Sequence, residues 1–598
     1  MRALIIFPPY ISPCRNPYLS VPLLVGQLRA ANIDAKGLDL NLEFNNDIIT
    51  KKNVETAIEK LHEIYKHIDE QIMYAPEQSI NFRPSKSDYQ NKKLFIETLF
   101  SSEKQRLLKQ VTQDIDEAVK YIKMLPDDDC LPNNPITSTI NLAKEIIGLC
   151  YYPSSFQQGK NYTLNYRDVK DWAYNTDENI YIEYFSKKVD EIANEKYDFI
   201  GVSIPSEEQF FAAFTLLRIL KEKTNARILA GGHILYSNPD VLKKHPDFFD
   251  TFADEVLVGE GEVSIVQYAH YLGGKLPIED VSGLIYRDSN GIVQSNEPKK
   301  IDNIEIIKEP SYEGYNLDKY WNNHMHLPVQ FTKGCYWHKC TFCTAYAGKG
   351  FYLIRTPKQA VDIIENMIKK YNISAFQILD DAISPQYFDK FTDEILKRRL
   401  KIVYNAFLRL ENFTPKLLKK LYKSGLRCAF WGYEAESPRI MELMNKGIDL
   451  KERKNILINA HKIGIRNSVG VILGFPNETE EEMKQTVDFC HKYDKYIDRL
   501  QMFLFQLRKN SLMLTNLHKY GIKGYTDAEE FSYVYKYDDP IMPKRITYLR
   551  QLYTLRLQHQ LKTFKGVKTK YKNMKAAYES IKKEYESVYK IKLKNSKI

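Results

Sequence analysis

Three cysteines stand close together in FTKGCYWHKCTFC, residues 331–343. Cys335, Cys340 and Cys343 fall within nine positions, although the whole 598-residue chain has eight cysteines. Thiolates confined to one loop can chelate zinc or an iron-sulfur cluster. Structural zinc prefers four ligands, usually two cysteine pairs, and this loop has one such pair, Cys340 and Cys343. His338 is the candidate for a fourth zinc ligand on the loop.

The missing fourth cysteine has a different meaning for an iron-sulfur cluster. A [4Fe-4S] cluster held by three cysteines leaves one iron without a protein ligand. An open coordination position on a metal is where a substrate or cofactor binds, whereas structural sites are closed. This interpretation predicts a centre whose remaining ligand is a small molecule.

Strand and helix patterns alternate from Val329 to about Gln506. Strand patterns such as AFQILDD and SVGVILGFP are separated by helical segments such as TPKQAVDIIENMIKKYN. Six such steps are too few for a closed eight-stranded barrel. We expect an open partial (β/α)6 barrel over residues 329–506. Its functional residues, including the cysteine loop, should lie at the carboxyl ends of the strands.

A second strand and helix series occupies the N-terminal part of this α/β chain. Its strand patterns are RALIIF, DFIGVSIP, ARILAGGHI and DEVLVGEGE, and the last two run into glycine-rich turns. This order predicts an open parallel sheet of the flavodoxin or Rossmann type, with a ligand crevice at the carboxyl ends of its strands. We assign residues 1–275 to this domain, with a helical insertion at about 45–194 and a hairpin-like linker at 276–328.

Charge is concentrated at the C-terminal end of the chain. Residues 541–598 contain 16 Lys and Arg against three Asp and Glu, so the rest of the chain is nearly neutral although the total is +10. We expect a basic, helical C-terminal region over 507–598. Its helices either pack or are solvated, or they dock to an acidic partner. Since the charge is confined to this tail, no nucleic-acid partner is expected.

The apolar start of the chain is too short for a signal-peptide core, and no apolar run is long enough to cross a membrane. We therefore expect a cytoplasmic protein without a membrane span, in which cysteines stay reduced.

The cysteine loop and the elements that follow it resemble the radical S-adenosylmethionine (SAM) superfamily over about 329–495. The resemblance implies that Cys335, Cys340 and Cys343 bind a [4Fe-4S] cluster and that SAM chelates the fourth iron. The family spacing is Cys-x3-Cys-x2-Cys, whereas this chain has one more residue between the first two cysteines. An extra residue adds about 3.3–3.6 Å of reach, so ligation by all three is still expected.

The resemblance also implies contacts to the methionine end of SAM. The segment LDDA offers Asp380, our first choice, and Asp381, our second, for the amine. The segment LRLE offers Arg409 for the carboxylate, because guanidinium groups pair well with carboxylates.

Three further segments are similar to family motifs around the nucleoside. Phe342 occupies the aromatic position before the last cysteine, which the family places beside adenine. Glu434, in GYEAES, is the candidate for the ribose hydroxyls, although Ala and Glu replace the Ser and Gly of the family motif. Gly474, in GVILGFPNET, corresponds to the segment that borders adenine, with Asn477 in place of a Gly.

The N-terminal domain is similar to the cobalamin (B12)-binding domain that precedes the radical SAM domain in a large family. The likeness covers 1–44 and about 195–270, without the Asp-x-His-x-x-Gly motif that places a histidine below cobalt in other cobalamin proteins. It leaves cobalamin binding open. The residues that it implies as cobalamin contacts are Ser203, Gly231, Gly232 and Gly259.

Together, the resemblances imply an enzyme that reductively cleaves SAM, forms a 5′-deoxyadenosyl radical and modifies an organic substrate. Cobalamin-dependent methyl transfer to carbon is the favoured reaction. The alternative is cobalamin-independent cyclisation, epimerisation or rearrangement of a peptide or natural product. A non-catalytic iron-sulfur or zinc-binding protein is the alternative class. The partners implied are a small-molecule or peptide substrate and an electron donor such as flavodoxin or ferredoxin; catalytic acid or base residues are not assigned.

Overall fold

The computed structural model of the chain describes residues 1–10, 14–78, 84–125, 134–154, 162–323, 325–344, 352–539, 542–563 and 571–589. Two large sheets with helices around them form most of this part, and they are joined by loops and by a small third sheet near the C-terminus.

The first sheet and its helices occupy the N-terminal half. The elements in chain order are β1 (Arg2–Phe7), α1 (Ser20–Ala30), β2 (Asp34–Asp39), α2 (Leu40–Ile48), α3 (Lys51–Tyr74), α4 (Lys86–Phe100), α5 (Ser102–Ile122), α6 (Pro135–Leu149), α7 (Tyr166–Tyr174), α8 (Tyr181–Ala193), β3 (Phe199–Ser203), α9 (Phe210–Lys223), β4 (Arg227–Gly231), α10 (His233–Ser237), α11 (Pro239–Lys244), α12 (Phe248–Thr251), β5 (Glu255–Leu257), α13 (Gly261–Leu272), β6 (Leu284–Arg287) and β7 (Val293–Ser295).

The strand order of this sheet is β2-β1-β3-β4-β5-β6-β7. The first five strands are parallel, and β6 and β7 are added antiparallel to β5. Strands β1 and β3 are buried almost throughout, because helices cover both faces of the sheet. The hairpin β6–β7 falls in the segment that the sequence analysis assigns to a linker, and it extends the sheet. The domain boundaries themselves stay a prediction.

The helices α2 to α8 lie between β2 and β3 in the chain, where the sequence predicts a helical insertion. Within it, α3, α4, α5 and α6 pack on one another around a continuous apolar core. The alternating charged and apolar residues of these helices produce one buried stripe on each, as a helix with a solvent face requires.

The second large sheet follows in the chain, with a separate antiparallel strand pair, Thr332–Gly334 with Tyr352–Ile354, inserted after its first strand. The elements in chain order are β8 (Leu327–Val329), β9 (Thr332–Gly334), β10 (Tyr352–Ile354), α14 (Pro357–Tyr371), β11 (Ala375–Ile378), α15 (Pro385–Lys397), β12 (Val403–Leu408), α16 (Pro415–Ser424), β13 (Leu426–Glu434), α17 (Pro438–Leu443), α18 (Leu450–Ile463), β14 (Arg466–Leu473), α19 (Glu480–Lys492) and β15 (Arg499–Leu504).

Six parallel strands form this sheet in the order β15-β14-β13-β12-β11-β8. Four of its helices begin with a hydroxyl side chain that caps the helix, followed by proline in the first turn, at Thr356, Ser384, Thr414 and Ser437. Such a pair satisfies a free backbone N–H and pre-sets the first helical φ. The repeated caps therefore fix where each strand-to-helix loop ends, and the predicted partial (β/α)6 barrel is confirmed.

Alternate residues of the barrel strands face opposite sides of the sheet. Ala406 and Leu408 in β12 are buried against the helices, whereas Phe407 between them is 38% exposed on the concave side. Phe503 in β15 is 52% exposed on the same side. Phe407 stacks on Phe430 of β13 with ring centroids 4.8 Å apart. The concave face is therefore partly aromatic and open.

The C-terminal region contains strands as well as the predicted helices. Its elements are β16 (Leu507–Arg508), β17 (Tyr525–Asp527), β18 (Val534–Tyr537), α20 (Met542–Thr563) and α21 (Met574–Tyr589). The strands form an antiparallel sheet in the order β16-β18-β17, helix α20 packs on α19 and β15, and α21 packs on α5 and α6. Residues 564–570 and 590–598 of the predicted basic region lie outside the described residues.

The segment before β18 docks the small sheet onto the N-terminal half. Phe531 is fully buried between the rings of Phe210 and Phe214, with centroids 4.8 and 5.7 Å away. Beside it, Glu529 and Glu530 accept hydrogen bonds from the backbone N–H groups of residues 164 and 166. We call this contact the Phe531 anchor.

None of the helices in the described ranges is both long and apolar enough to cross a membrane.

Candidate functional site

The three predicted cysteines begin directly after β9, at the carboxyl end of the barrel. Cys335 makes a parallel bridge to Ala382, which follows β11. Cys340 is buried, Cys335 and Cys343 are half-buried, and none of the three forms a disulfide. The position agrees with the expectation that chemistry takes place where parallel strands end.

The additional residue of the loop is accommodated by a local turn. His338 has a φ of 40°, in the left-handed region, and its Nδ1 lies 3.3 Å from the Cys335 carbonyl oxygen. Trp337 donates a hydrogen bond from its indole N–H to the Asn445 carbonyl at 2.8 Å. The additional residue therefore lies in a turn that is fixed by contacts of His338 and Trp337.

The second half of the loop is tied to the end of α17. The Thr341 N–H donates to the Met444 carbonyl at 3.0 Å, and its hydroxyl donates to the Leu443 carbonyl at 2.9 Å. Thr341 also accepts a hydrogen bond from the Met513 N–H at 2.9 Å. Three backbone-directed contacts at one residue hold the Cys340–Cys343 turn in place.

Two buried cations lie beside Cys340. Arg409 Nη1 is 4.0 Å from the Cys340 sulfur, and the buried Lys446 ammonium is close enough to act on the same thiol. Burial raises the pKa of the Cys340 thiol, while Lys446 and Arg409 oppose that increase. Thiolate ligands bring negative charge into this buried region, and the two cations compensate it.

The donor set fits an iron-sulfur cluster: three uncrosslinked thiols on one constrained loop, with compensating positive charge next to the most buried of them. In the ranges that the structure describes, no three side chains of His, Cys, Asp or Glu are arranged around a common point for a single metal ion.

Arg409, the predicted partner of the SAM carboxylate, is already engaged on several sides. Its Nε donates to Glu411 Oε1 at 2.7 Å, and its Nη2 donates to the Lys446 carbonyl at 2.5 Å. Its guanidinium also lies 4.4 Å from the ring centroid of Trp337. These contacts fix the loop and Lys446 relative to β12; the contact to SAM stays a prediction.

Glu434, the predicted ribose partner, forms a buried ion pair. Its Oε1 is 2.6 Å from the Lys446 ammonium, and burial of that ammonium is outweighed by Glu434 and Cys340, so the pKa of Lys446 is raised. Glu434 has a φ of 68° at the irregular end of β13. Lys446 is not part of any motif predicted from the sequence, because its place beside Glu434 depends on the turn after α17.

The two adjacent aspartates have different surroundings. Asp380 is fully buried and accepts hydrogen bonds from the N–H groups of Phe331 and Thr332, and from the Thr332 hydroxyl at 2.6 Å. Burial raises the pKa of Asp380 to about 7, against the lowering effect of these donors. Asp381 is exposed to the concave space, with Lys333 as its nearby cation. The geometry gives Asp380 a supporting role and leaves Asp381 accessible.

This difference leads to opposite expectations for the two aspartates. Asp380→Asn should lower the free energy of unfolding by about 1–3 kcal/mol, because it places an amide against N–H donors. Asp381→Asn should leave stability within about 0.5 kcal/mol and weaken SAM binding about tenfold. Chemical denaturation and equilibrium binding of SAM measure the two effects. Equal loss of SAM affinity in two equally stable variants would contradict the assignment.

Phe342 packs against an apolar cluster that contains Phe475, the residue after Gly474. The Phe342 ring meets Phe475 edge-on with centroids 6.5 Å apart. Gly474 has a φ of 73°, and a Cβ there would lie 1.9 Å from Nε of Arg545. Glycine is therefore required at this position, and Arg545 of α20, which the sequence analysis does not identify, closes the outer side of the segment.

A cavity of about 480 Å³ lies at the carboxyl ends of the first sheet. Among its lining residues are all four predicted cobalamin contacts, Ser203, Gly231, Gly232 and Gly259. Gly232 has a φ of 118°, and a Cβ there would come within 2.7 Å of the Ile204 backbone. Glycines and a serine at the ends of three adjacent strands form a floor with little side-chain bulk.

The same cavity is closed from the barrel side. Gln330 and Lys333, which precede the cysteine loop, and Leu379, which precedes the two aspartates, belong to its lining. Residues that directly precede the cysteine loop and the two aspartates therefore belong to the lining of this cavity.

Residues 329–490 match the sequence model of the radical SAM superfamily. An uncharacterized methyltransferase of Pyrococcus horikoshii is 26% identical over 341 residues, which cover 54% of this chain and 72% of that protein. An anaerobic magnesium-protoporphyrin IX monomethyl ester cyclase of Rubrivivax gelatinosus is 25% identical over 356 residues, covering 56% of this chain and 62% of that protein. The chain thus spans less than two thirds of the length of the Rubrivivax gelatinosus protein.

Two solved structures have the same fold. The radical SAM methyltransferase TsrM from Kitasatospora setae, with tryptophan substrate and a SAM analogue bound, superposes with a TM-score of 0.57 at 13% identity, covering 93% of this chain and 88% of that one. The cobalamin-dependent radical SAM enzyme OxsB, with aqua-cobalamin and SAM bound, gives a TM-score of 0.51 at 16% identity, with coverages of 68% and 65%.

Proposed function

We propose that this chain, whose residues 329–490 match the radical SAM superfamily, is an enzyme that transfers a methyl group to a carbon atom of an organic substrate with cobalamin as a second cofactor. One observation carries the proposal: Gln330 and Lys333, which precede the cysteine loop, and Leu379, which precedes the two aspartates, line the glycine-floored cavity. A reaction that uses two cofactors needs their sites side by side, and this lining supports such an arrangement.

In the proposed enzyme, Cys335, Cys340 and Cys343 would hold a [4Fe-4S] cluster, which would supply the electron for reductive cleavage of SAM. The protein binds, orients and excludes water while the cofactors supply the reactivity. Lys446 and Arg409 compensate negative charge at the cysteine loop. Asp381 is the proposed partner of the SAM amine, and Asp380 holds the loop that leads to the cysteines.

The proposed nucleoside contacts lie on the other side of the barrel mouth. Phe342 and the turn at Gly474 flank the proposed adenine position, and Glu434, held by Lys446, is directed to the ribose. The concave aromatic face with Phe407 and Phe503 contributes an apolar wall to the proposed substrate space. An external electron donor such as flavodoxin or ferredoxin is part of the proposal.

Binding of hydroxocobalamin tests the methyl-transfer proposal. Ser203 is nearly buried in the cavity wall, and its hydroxyl lies 3.0 Å from that of Ser20. We expect the wild-type protein to bind hydroxocobalamin stoichiometrically, and Ser203→Phe to bind it at least about tenfold more weakly because the ring fills the cavity. An anaerobic titration followed by the visible corrin spectrum measures both.

Ser203→Ala is the matched control, since it removes only one hydroxyl and should keep corrin binding. Iron content and SAM cleavage should be unchanged in both variants. If the wild-type protein takes up no corrin while it still cleaves SAM, the cobalamin-dependent reaction is wrong, and a cobalamin-independent rearrangement becomes the better proposal.

A further inference from the structure

A buried ion pair lies between a helix of the N-terminal domain and the short strand that precedes the cysteine loop. Lys333, in β9, meets Glu262, in the first turn of α13. Their side chains are 11% and 7% exposed, and both residues line the cavity of about 480 Å³. The pair therefore links the N-terminal domain to the strand that enters the cysteine loop.

Strand β9 is held on both of its faces. Successive side chains of a strand point to opposite sides. The Thr332 hydroxyl donates to Asp380 Oδ1 at 2.6 Å on the barrel side, whereas the Lys333 ammonium donates to Glu262. Cys335 follows two residues later. The position of the first cysteine is consequently set from the barrel and from the N-terminal domain at once.

Glu262 is the ion-pair partner of Lys333, and both side chains are buried. Lys333 also acts electrostatically on the exposed Asp381 of the barrel. Because the pair with Glu262 is buried, removing either partner leaves the other as an uncompensated buried charge.

We propose that Lys333 and Glu262 are a positioning pair that fixes the distance between the cysteine loop and the cofactor cavity. This inference rests on the proposed function. The pair touches neither reacting atom; it acts through β9 and α13. Without the ion pair, each site keeps its own residues, but the distance between the two sites varies from molecule to molecule. SAM cleavage then continues, whereas transfer between the two sites becomes inefficient.

The experiment compares single and exchanged charges in the full-length protein. Lys333→Met and Glu262→Gln each remove one charge, and the double variant Lys333→Glu with Glu262→Lys restores a pair with reversed sense. Lys36→Met is the matched control, because Lys36 forms an exposed ion pair with Glu195, and exposed pairs contribute little.

The first measurement needs no cofactor. Hydrogen exchange of peptides that contain β9 should be at least about tenfold faster in both single variants. It should be close to wild type in the exchanged double variant and in Lys36→Met. Unchanged protection of β9 in the single variants, or no rescue by the exchanged pair, would overturn the positioning role.

The second measurement uses protein loaded with a reduced cluster and cob(II)alamin. Pulsed EPR of the two paramagnetic centres should give one narrow distance distribution in wild type, a broader one in the single variants, and a narrow one again in the exchanged pair. If wild type binds no corrin, the proposed function fails, and hydrogen exchange still decides the role of the pair. Equal distributions in wild type and Lys333→Met would refute the inference.

Discussion

Replacing Cys335, Cys340 and Cys343 together with alanine gives a protein that is colourless and does not cleave SAM. The three thiols are the cluster ligands proposed for the loop, and no thiolate remains there to hold iron. Anaerobically purified wild type should be brown with about four irons per chain. Iron analysis and the yield of 5′-deoxyadenosine with a chemical reductant measure the loss.

Cys150→Ala is the control for this experiment, because Cys150 is buried in the helical insertion away from the loop. It should keep both iron and SAM cleavage. Full cleavage by the triple variant would refute the assignment of the loop. A colourless wild type with one tightly held zinc would favour the non-catalytic alternative.

Lys446→Met has the second-largest expected effect. The substitution leaves Glu434 buried without its partner, which typically costs about 3–5 kcal/mol. It also removes a cation beside Cys340. We expect a matching decrease in the free energy of unfolding and a SAM affinity weakened about tenfold to hundredfold. Chemical denaturation and anaerobic titration with SAM measure the two effects.

A double variant separates stability from binding. Lys446→Met combined with Glu434→Leu removes both charges, and a buried ion pair can be replaced by apolar residues at little cost. We expect this variant to recover most of the lost stability while SAM binding stays weak, since the proposed ribose contact is gone. Recovery of SAM affinity along with stability would mean that Glu434 and Lys446 are structural.

Much of the fold follows from local sequence patterns. The six barrel strands are short apolar segments, and several of the helices that follow them begin with a hydroxyl residue and proline. The hydrophobic periodicity and the capping residues therefore predict the same helix starts. The insertion is marked by long charged helical segments. Two features depend on contacts between distant segments: the hairpin β6–β7 adds to the first sheet, and the C-terminal strands precede the predicted helices.

The alternating aromatic run YVYKY contains β18 and is a strand pattern that could have indicated the small sheet.

Cysteine spacing draws attention to the loop in the sequence, and the assignment of its three cysteines as ligands stays a prediction. The residues that support the loop were harder to foresee. The choice between Asp380 and Asp381 depends on which carboxylate faces the N–H groups of Phe331 and Thr332. The alternation of side chains along a strand does not show which of two adjacent residues after the strand takes that position. Lys446 and Arg545 reach the site from turns and helices outside the barrel motifs, so their neighbours are set by tertiary packing.

The Phe531 anchor limits how this chain can be divided for recombinant work. A fragment that stops after the barrel would leave the socket around Phe210 and Phe214 open, and an exposed aromatic socket favours aggregation. Chimeras that exchange the N-terminal half with another protein should therefore carry residues 507–537 along with it, because those two stretches form one packing unit despite their separation in the chain.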